Sequence, residues 1–262
     1  MPASYSHYRL GKIVLKQLDD QLKKIINDNI DFYNIGLHGP DILFYNRPYL
    51  HSKINRLSSA IHQQKACEFL LPAITTLQQT KSQAQFAYLC GFVCHFILDS
   101  NCHPLVNEIM DKTKTTHFEI ETELDRYFMV KDGWDPLKTH LTNHIHINDD
   151  IVSNIAIFYP QASIKDIYKS LKGMKFYDRL LVAPQLYKRG LIYLVLKITF
   201  TFKRFQGFVV NYQPNQKIAL DIIALEKLFN QSIDECVVYI NDFIAALKNE
   251  HSLSNRFNRN FK

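Results

Sequence analysis

The run Cys94-His95-Phe96-Ile97-Leu98-Asp99-Ser100-Asn101-Cys102-His103-Pro104, followed by His117-Phe118-Glu119-Ile120-Glu121, constrains this chain more than any other stretch. His95, Asp99 and His103 recur every fourth residue, and His117 and Glu121 repeat the interval. On a helix such residues stand about one turn apart on a single face. Phe92, Val93, Phe96, Ile97 and Leu98 surround the first pair, so that face is expected to be partly buried. Imidazoles and carboxylates taken out of water need partners, and a cation serves them all at once. One His-x-x-x-Asp pair would be met equally well by a hydrogen bond on a helix surface. Two such pairs, joined by a third histidine on the same stripe, point to a metal site with more than one ion, and imidazole with carboxylate is a ligand set of zinc.

The rest of the sequence argues for helices. Eight Gly, nine Pro, no Asn-Gly pair and a single Asp-Gly leave little material for hairpins, while apolar residues recur at intervals of three and four. The predicted fold is all-α. Helices are expected over Tyr8 to Asn27, Lys53 to Leu70, Ala84 to Ser100 and Thr116 to Phe128, then at about 151–158, 164–173, 177–203 and 216–248. Pro104 predicts a break after His103. With 262 residues, 47% hydrophobic and 21% charged, the chain suits one soluble domain. Residues 1–130 would form a helical core with the metal site, 131–250 would add helices to the same domain, and 251–262, rich in Asn, Arg and Lys, would be a flexible tail.

Further candidates lie upstream. Gly39-Pro40-Asp41 places a carboxylate directly after a turn, His62 lies among Ile54, Leu57, Ile61 and Phe69, and His7 is near the amino terminus. In this order, His7, Gly39-Pro40-Asp41, His62, His95-x-x-x-Asp99-x-x-x-His103 and His117-x-x-x-Glu121 resemble the zinc-dependent phospholipase C family, which is similar in turn to the fungal single-strand nucleases. The motifs cover about residues 1 to 130; beyond them only helical character is shared.

The resemblance implies a compact multi-helix domain and a zinc-dependent phosphodiesterase, a phospholipase C-like hydrolase acting on a phospholipid or related phosphodiester. It assigns His62, His95, Asp99 and Asp41 to one zinc ion and His103, His117 and Glu121 to a second. His7 would share Asp99 at a third, which secreted relatives complete with an amino-terminal tryptophan. Trp134 is far from that end, and Pro2 is the available substitute. Asp99, one turn from both His95 and His103, is placed to bridge ions. Asp41 is the candidate to orient or deprotonate the attacking water, with ligation as its other role. His51 rivals His62, which is preferred for its helical context.

Other functions fit less well. A nuclease would use the same metals with an aromatic platform for bases, which 18 Phe and 14 Tyr do not single out. A zinc-stabilised lipid-binding or scaffold protein remains the non-enzymatic alternative. A His-Asp phosphohydrolase is excluded by the absence of that dipeptide, and a di-iron bundle by the absence of paired Glu-x-x-His motifs. His140, His144 and His146 are read as surface residues, and Cys94 and Cys102 as packing residues. Five cysteines without a framework spacing, and no apparent secretory leader, predict a reducing, cytoplasmic setting. No run reaches the length of a membrane span. The basic residues Lys188, Arg189, Lys197, Lys203 and Arg204 around the apolar run 191–200 would suit peripheral contact with a phospholipid surface; a core helix with a solvated end is the preferred reading.

Overall fold

Side-chain caps divide the first half of the chain into shorter helices than its apolar spacing predicts. A computed structural model of the protein describes residues 4–50 and 52–262. The expected helix from Tyr8 to Asn27 is two, α1 (Ser4–Gln17) and α2 (Asp20–Asp28). The reason is Asp19, whose carboxylate accepts from the Gln21 and Leu22 amides at 3.0 Å and starts a new helix. A short helix α3 (Ile30–Gly36) and a 3-10 turn over Gly39–Tyr45 follow. The segment predicted as one helix from Lys53 to Leu70 is α4 (Lys53–Gln63) and α5 (Ala66–Thr80). At that junction the Ala66 amide donates to the Arg259 carbonyl instead of into a continuous helix.

The remaining α-helices are α6 (Gln83–Thr113), α7 (His117–Lys131), α8 (Asp149–Ala156), α9 (Ile164–Leu181), α10 (Leu186–Ile198), α11 (Phe202–Phe205) and α12 (Ala219–Leu247). No strand occurs among the described residues, and the fold is all-α. α6 is the spine, packed against α3 and α12. From Ala87 to Ser100 every residue of α6 is buried, so it has no solvent face through this stretch.

The break expected at Pro104 does not occur. Proline removes one helical hydrogen bond, but α6 continues for nine residues beyond it and buries Val106 and Ile109. Arg256 fastens the preceding turn, donating to Ser100 Oγ at 2.8 Å and Asn101 Oδ1 at 2.7 Å. Tertiary packing therefore overrides the local preference.

Where α3 crosses α6, the two main chains touch. A Cβ on Gly36 would lie 2.1 Å from the Tyr88 carbonyl oxygen, and one on Gly91 would lie 2.3 Å from that of Tyr33. This crossing sets the depth of the Gly39–Tyr45 turn against α6.

Two expectations for the second half need correction. Residues 251–262 are not a loose tail: Phe257 and Phe261 are fully buried in the core, because the segment offers two large aromatic rings as well as its charges. α10 is not a core helix. It buries Arg189 and Ile192, while most of its large apolar residues face water.

Candidate metal centre

The eight candidate ligands, five marked by their spacing and His7, Asp41 and His62 implied by the family resemblance, come together in three groups: His7, His95 and Asp99; Asp41, His62 and His95; and His103, His117 and Glu121. α6 supplies His95, Asp99 and His103 from one buried stripe, and α7 supplies His117 and Glu121 from its first turns. His62 is near the end of α4. Asp41 belongs to the 3-10 turn, and its approach depends on Gly39. That residue has φ +47°, and a Cβ there would meet the His95 ring at 2.3 Å, so the turn lies directly on the imidazole.

Asp125 holds His7 in place. Its carboxylate accepts from the amides of Tyr5 at 3.1 Å and Ser6 at 2.8 Å, and from Ser6 Oγ at 2.6 Å. An anion at the start of α1 is favoured by the helix dipole. Burial pushes the Asp125 carboxyl up to about 7, with the Ser6 and Tyr5 bonds working in the opposite direction.

Carboxylate oxygens and imidazole nitrogens alternate across the site. His62 Nε2 lies 2.8 Å from Asp41 Oδ1, and His95 Nε2 lies 3.8 Å from that oxygen. Asp99 divides its oxygens: Oδ1 is 3.2 Å from His7 Nε2, while Oδ2 is 3.2 Å from His95 Nε2 and 3.7 Å from His62 Nε2. In the third group, Glu121 Oε1 is 3.0 Å from His117 Nε2 and 3.5 Å from His103 Nε2. The His117 side chain is 29% exposed, against 8% for His103, so this group opens toward solvent.

The tautomers follow from the far side of the rings. Nδ1 of His62 faces the Ser58 carbonyl at 2.8 Å, Nδ1 of His95 faces that of Leu37 at 3.2 Å, and Nδ1 of His103 faces that of Phe261. A carbonyl only accepts, so each Nδ1 carries a hydrogen and each neutral ring presents a lone pair at Nε2. Those lone pairs point at carboxylate oxygens. The Nε2 atoms of His62 and His95 and Oδ1 of Asp41 make no hydrogen bond although all are buried. Buried acceptors facing one another are unfavourable, and a cation between them resolves the conflict. The nitrogen and oxygen donors suit zinc.

The electrostatics agree. Burial opposes the charge on Asp99, yet the positive charge that His95 and His103 can carry outweighs it and holds the carboxyl well below its usual range. Burial likewise opposes the charge on Glu121, but His117 and His103 hold it well below its usual value. His103 is pulled the other way: burial lowers it, while Asp99 and Glu121 dominate and raise it to about 9. The site draws positive charge.

Asp125 extends the His117, Glu121 spacing by a further four residues, a signal that could have identified it. Phe261, far away in sequence, gave no such signal. His144 is not a surface residue: it stacks on Tyr8 with ring centroids 3.9 Å apart, and its Nε2 is 2.9 Å from His38 Nε2. His140 and His146 instead face Asp178 and Asp31. Cys94 and Cys102 are buried, and all five cysteines are free thiols. Pro2 and His51 lie outside the described residues. No helix among the described residues is long and apolar enough to cross a membrane.

The family model described as Zinc dependent phospholipase C matches residues 6–175, a span that includes all eight candidate ligands. No curated protein and no solved structure matches the chain.

Proposed function

The chain belongs to the zinc-dependent phospholipase C family, and we propose that it is a zinc-dependent phosphodiester hydrolase of the phospholipase C type. The observation that carries this reading is that the buried Nε2 atoms of His62 and His95 converge on Asp41 Oδ1 without a hydrogen bond to any of the three, within a cluster of eight candidate ligands. Asp41, His62, His95 and Asp99 would hold one ion, and His103, His117 and Glu121 a second. His7 and the other oxygen of Asp99 would serve a third. Bound zinc lowers the pKa of a coordinated water to about 7 and withdraws charge from phosphoryl oxygens.

The protein groups divide the remaining work. Asp99 offers a separate oxygen to His7 and to the His62–His95 pair, so its one negative charge would offset the repulsion between cations held on its two sides. The Ser58, Leu37 and Phe261 carbonyls fix the imidazoles in the ligating tautomer. Asp41 orients the attacking water and accepts its proton at a carboxylate oxygen. The more open His117 marks the side from which a phosphodiester would enter.

Metal analysis together with turnover tests this reading. Purified protein is expected to hold two or three zinc ions per chain and to hydrolyse a phospholipid or a soluble phosphodiester, with chelation abolishing both. Zinc binding without turnover would indicate the non-catalytic lipid-binding or scaffold alternative. Turnover of single-stranded DNA in preference to phospholipid would indicate a nuclease.

A further inference from the structure

The segment between Asp178 and Asp221 holds seven basic residues and no acidic one. The rest of the chain has 24 basic and 25 acidic residues, so this segment accounts for the whole positive excess of +6. Within it, α10 turns Tyr187, Leu191, Leu194 and Ile198 to one exposed side, and Phe200 just beyond is 97% exposed. An apolar stripe on a monomer surface marks an interaction site. Its charged border identifies the partner.

Lys188 and Arg189 are engaged internally. Lys188 donates to the Arg179 and Val182 carbonyls, and Arg189 donates to those of Ala183 and Val210. Lys197, Lys203 and Arg204 are exposed beside the apolar stripe. A helix with apolar residues on one side and basic residues at its edge is suited to lie in the plane of a bilayer interface, with its cations at anionic headgroups.

The segment is also fixed to the metal centre. Phe208 packs on Phe118, next to His117, with centroids 4.2 Å apart, and Phe44, three residues after Asp41, packs near both. On its return the chain is held to α7: Arg126 donates to the Asn211 and Tyr212 carbonyls, and Glu123 accepts from the Asn215 amide at 3.2 Å. The exposed stripe is thus carried by a unit that borders the entrance at His117.

We infer that α10 and the basic turn after it dock the protein on an anionic phospholipid bilayer, presenting the centre to substrate in that surface. This rests on the phospholipid reading of the site. Co-sedimentation of the zinc-loaded protein with vesicles of phosphatidylcholine containing phosphatidylserine tests it. Lys203→Gln with Arg204→Gln should weaken binding about 25-fold, from about fivefold per basic residue. Leu191→Asp with Leu194→Asp should weaken it about tenfold or more. Because these side chains are exposed, the melting temperature and hydrolysis of a water-soluble chromogenic phosphodiester should stay unchanged. Wild-type protein that does not sediment, or variants that sediment equally well, would overturn the inference. So would self-association in lipid-free buffer that the Asp variants abolish, since the stripe would then join two copies of the chain. Sedimentation without hydrolysis of any phosphodiester would support docking while refuting the hydrolase assignment.

Discussion

His103 Nδ1 donates to the main-chain carbonyl of Phe261, a residue 158 positions later, while the Phe261 amide donates to the His62 carbonyl at 3.3 Å. One residue near the end of the chain therefore touches two candidate ligands supplied by different helices. Partners behind a ligating histidine typically control metal affinity by 10–100-fold when lost, roughly. Deleting residues 260–262 should weaken zinc binding by about that factor, measured by competition with a chromogenic chelator. Phe261→Leu retains the carbonyl and should bind zinc nearly as the wild type does. Equal affinity in the truncated protein would show that the contact does not matter.

Asp99 is the residue whose loss should reach furthest. Asp99→Asn removes an anionic oxygen from between His7 on one side and His62 and His95 on the other. Zinc per chain after equal dialysis should fall at more than one site. His117→Ala should empty only the group with Glu121, because one imidazole offers one lone pair. If Asp99→Asn loses no more zinc than His117→Ala, the shared carboxylate has to be redrawn.

Gly39→Ala should be costly for two reasons. A left-handed alanine costs about 1–2 kcal/mol, and its methyl would overlap the His95 ring, adding about 1–3 kcal/mol. Gly133 also has positive φ, but nothing lies within 4 Å of its Cβ position. Gly133→Ala should therefore show only the first cost. Denaturant unfolding of the two variants gives the difference directly, and zinc content should fall in Gly39→Ala alone.

The His38–His144 pair predicts acid sensitivity apart from the metals. Burial pushes His144 down to about 3, with Lys175 and His146 adding to the effect. An unfolded histidine titrates near about 6.5. Between those values the unfolded chain binds more protons, so stability rises with pH there and is lost as pH falls from about 6.5 toward 3. Allowing for partial solvent contact, the loss should be about 1–2 kcal/mol by about pH 4.5. Unfolding measured at several pH values should give a shallower slope for His144→Gln than for the wild type; parallel slopes would remove His144 as a cause.

Periodicity made the all-α fold legible, because apolar spacing survives even where helix boundaries do not. It missed the break at Asp19 because a cap depends on one side chain turning back on the main chain, and it missed the continuity through Pro104 because distant packing decides there. Five of the candidate ligands were nameable from spacing, since they lie at intervals of four on two helices, while His7, Asp41 and His62 carry no such interval and were named only through the resemblance to a family. The carbonyls behind the rings were not: Leu37, Ser58 and Phe261 contribute main-chain atoms, which every residue possesses, so residue type carries no signal. The exposed stripe of α10 was hidden for a related reason. An apolar run looks alike whether its side chains face the core or the solvent.

The glycine crossing of α3 and α6 makes tolerance to sequence drift uneven across the molecule. Core side chains can exchange volume with one another and still fill the interior, so much of the surrounding packing can change while the fold persists. At Gly36 and Gly91 the neighbour is a carbonyl oxygen of the opposing main chain, which has no rotamer to yield. The interval between the Asp41 turn and His95 is therefore set by two peptide backbones, and even the smallest added side chain at either glycine must widen it.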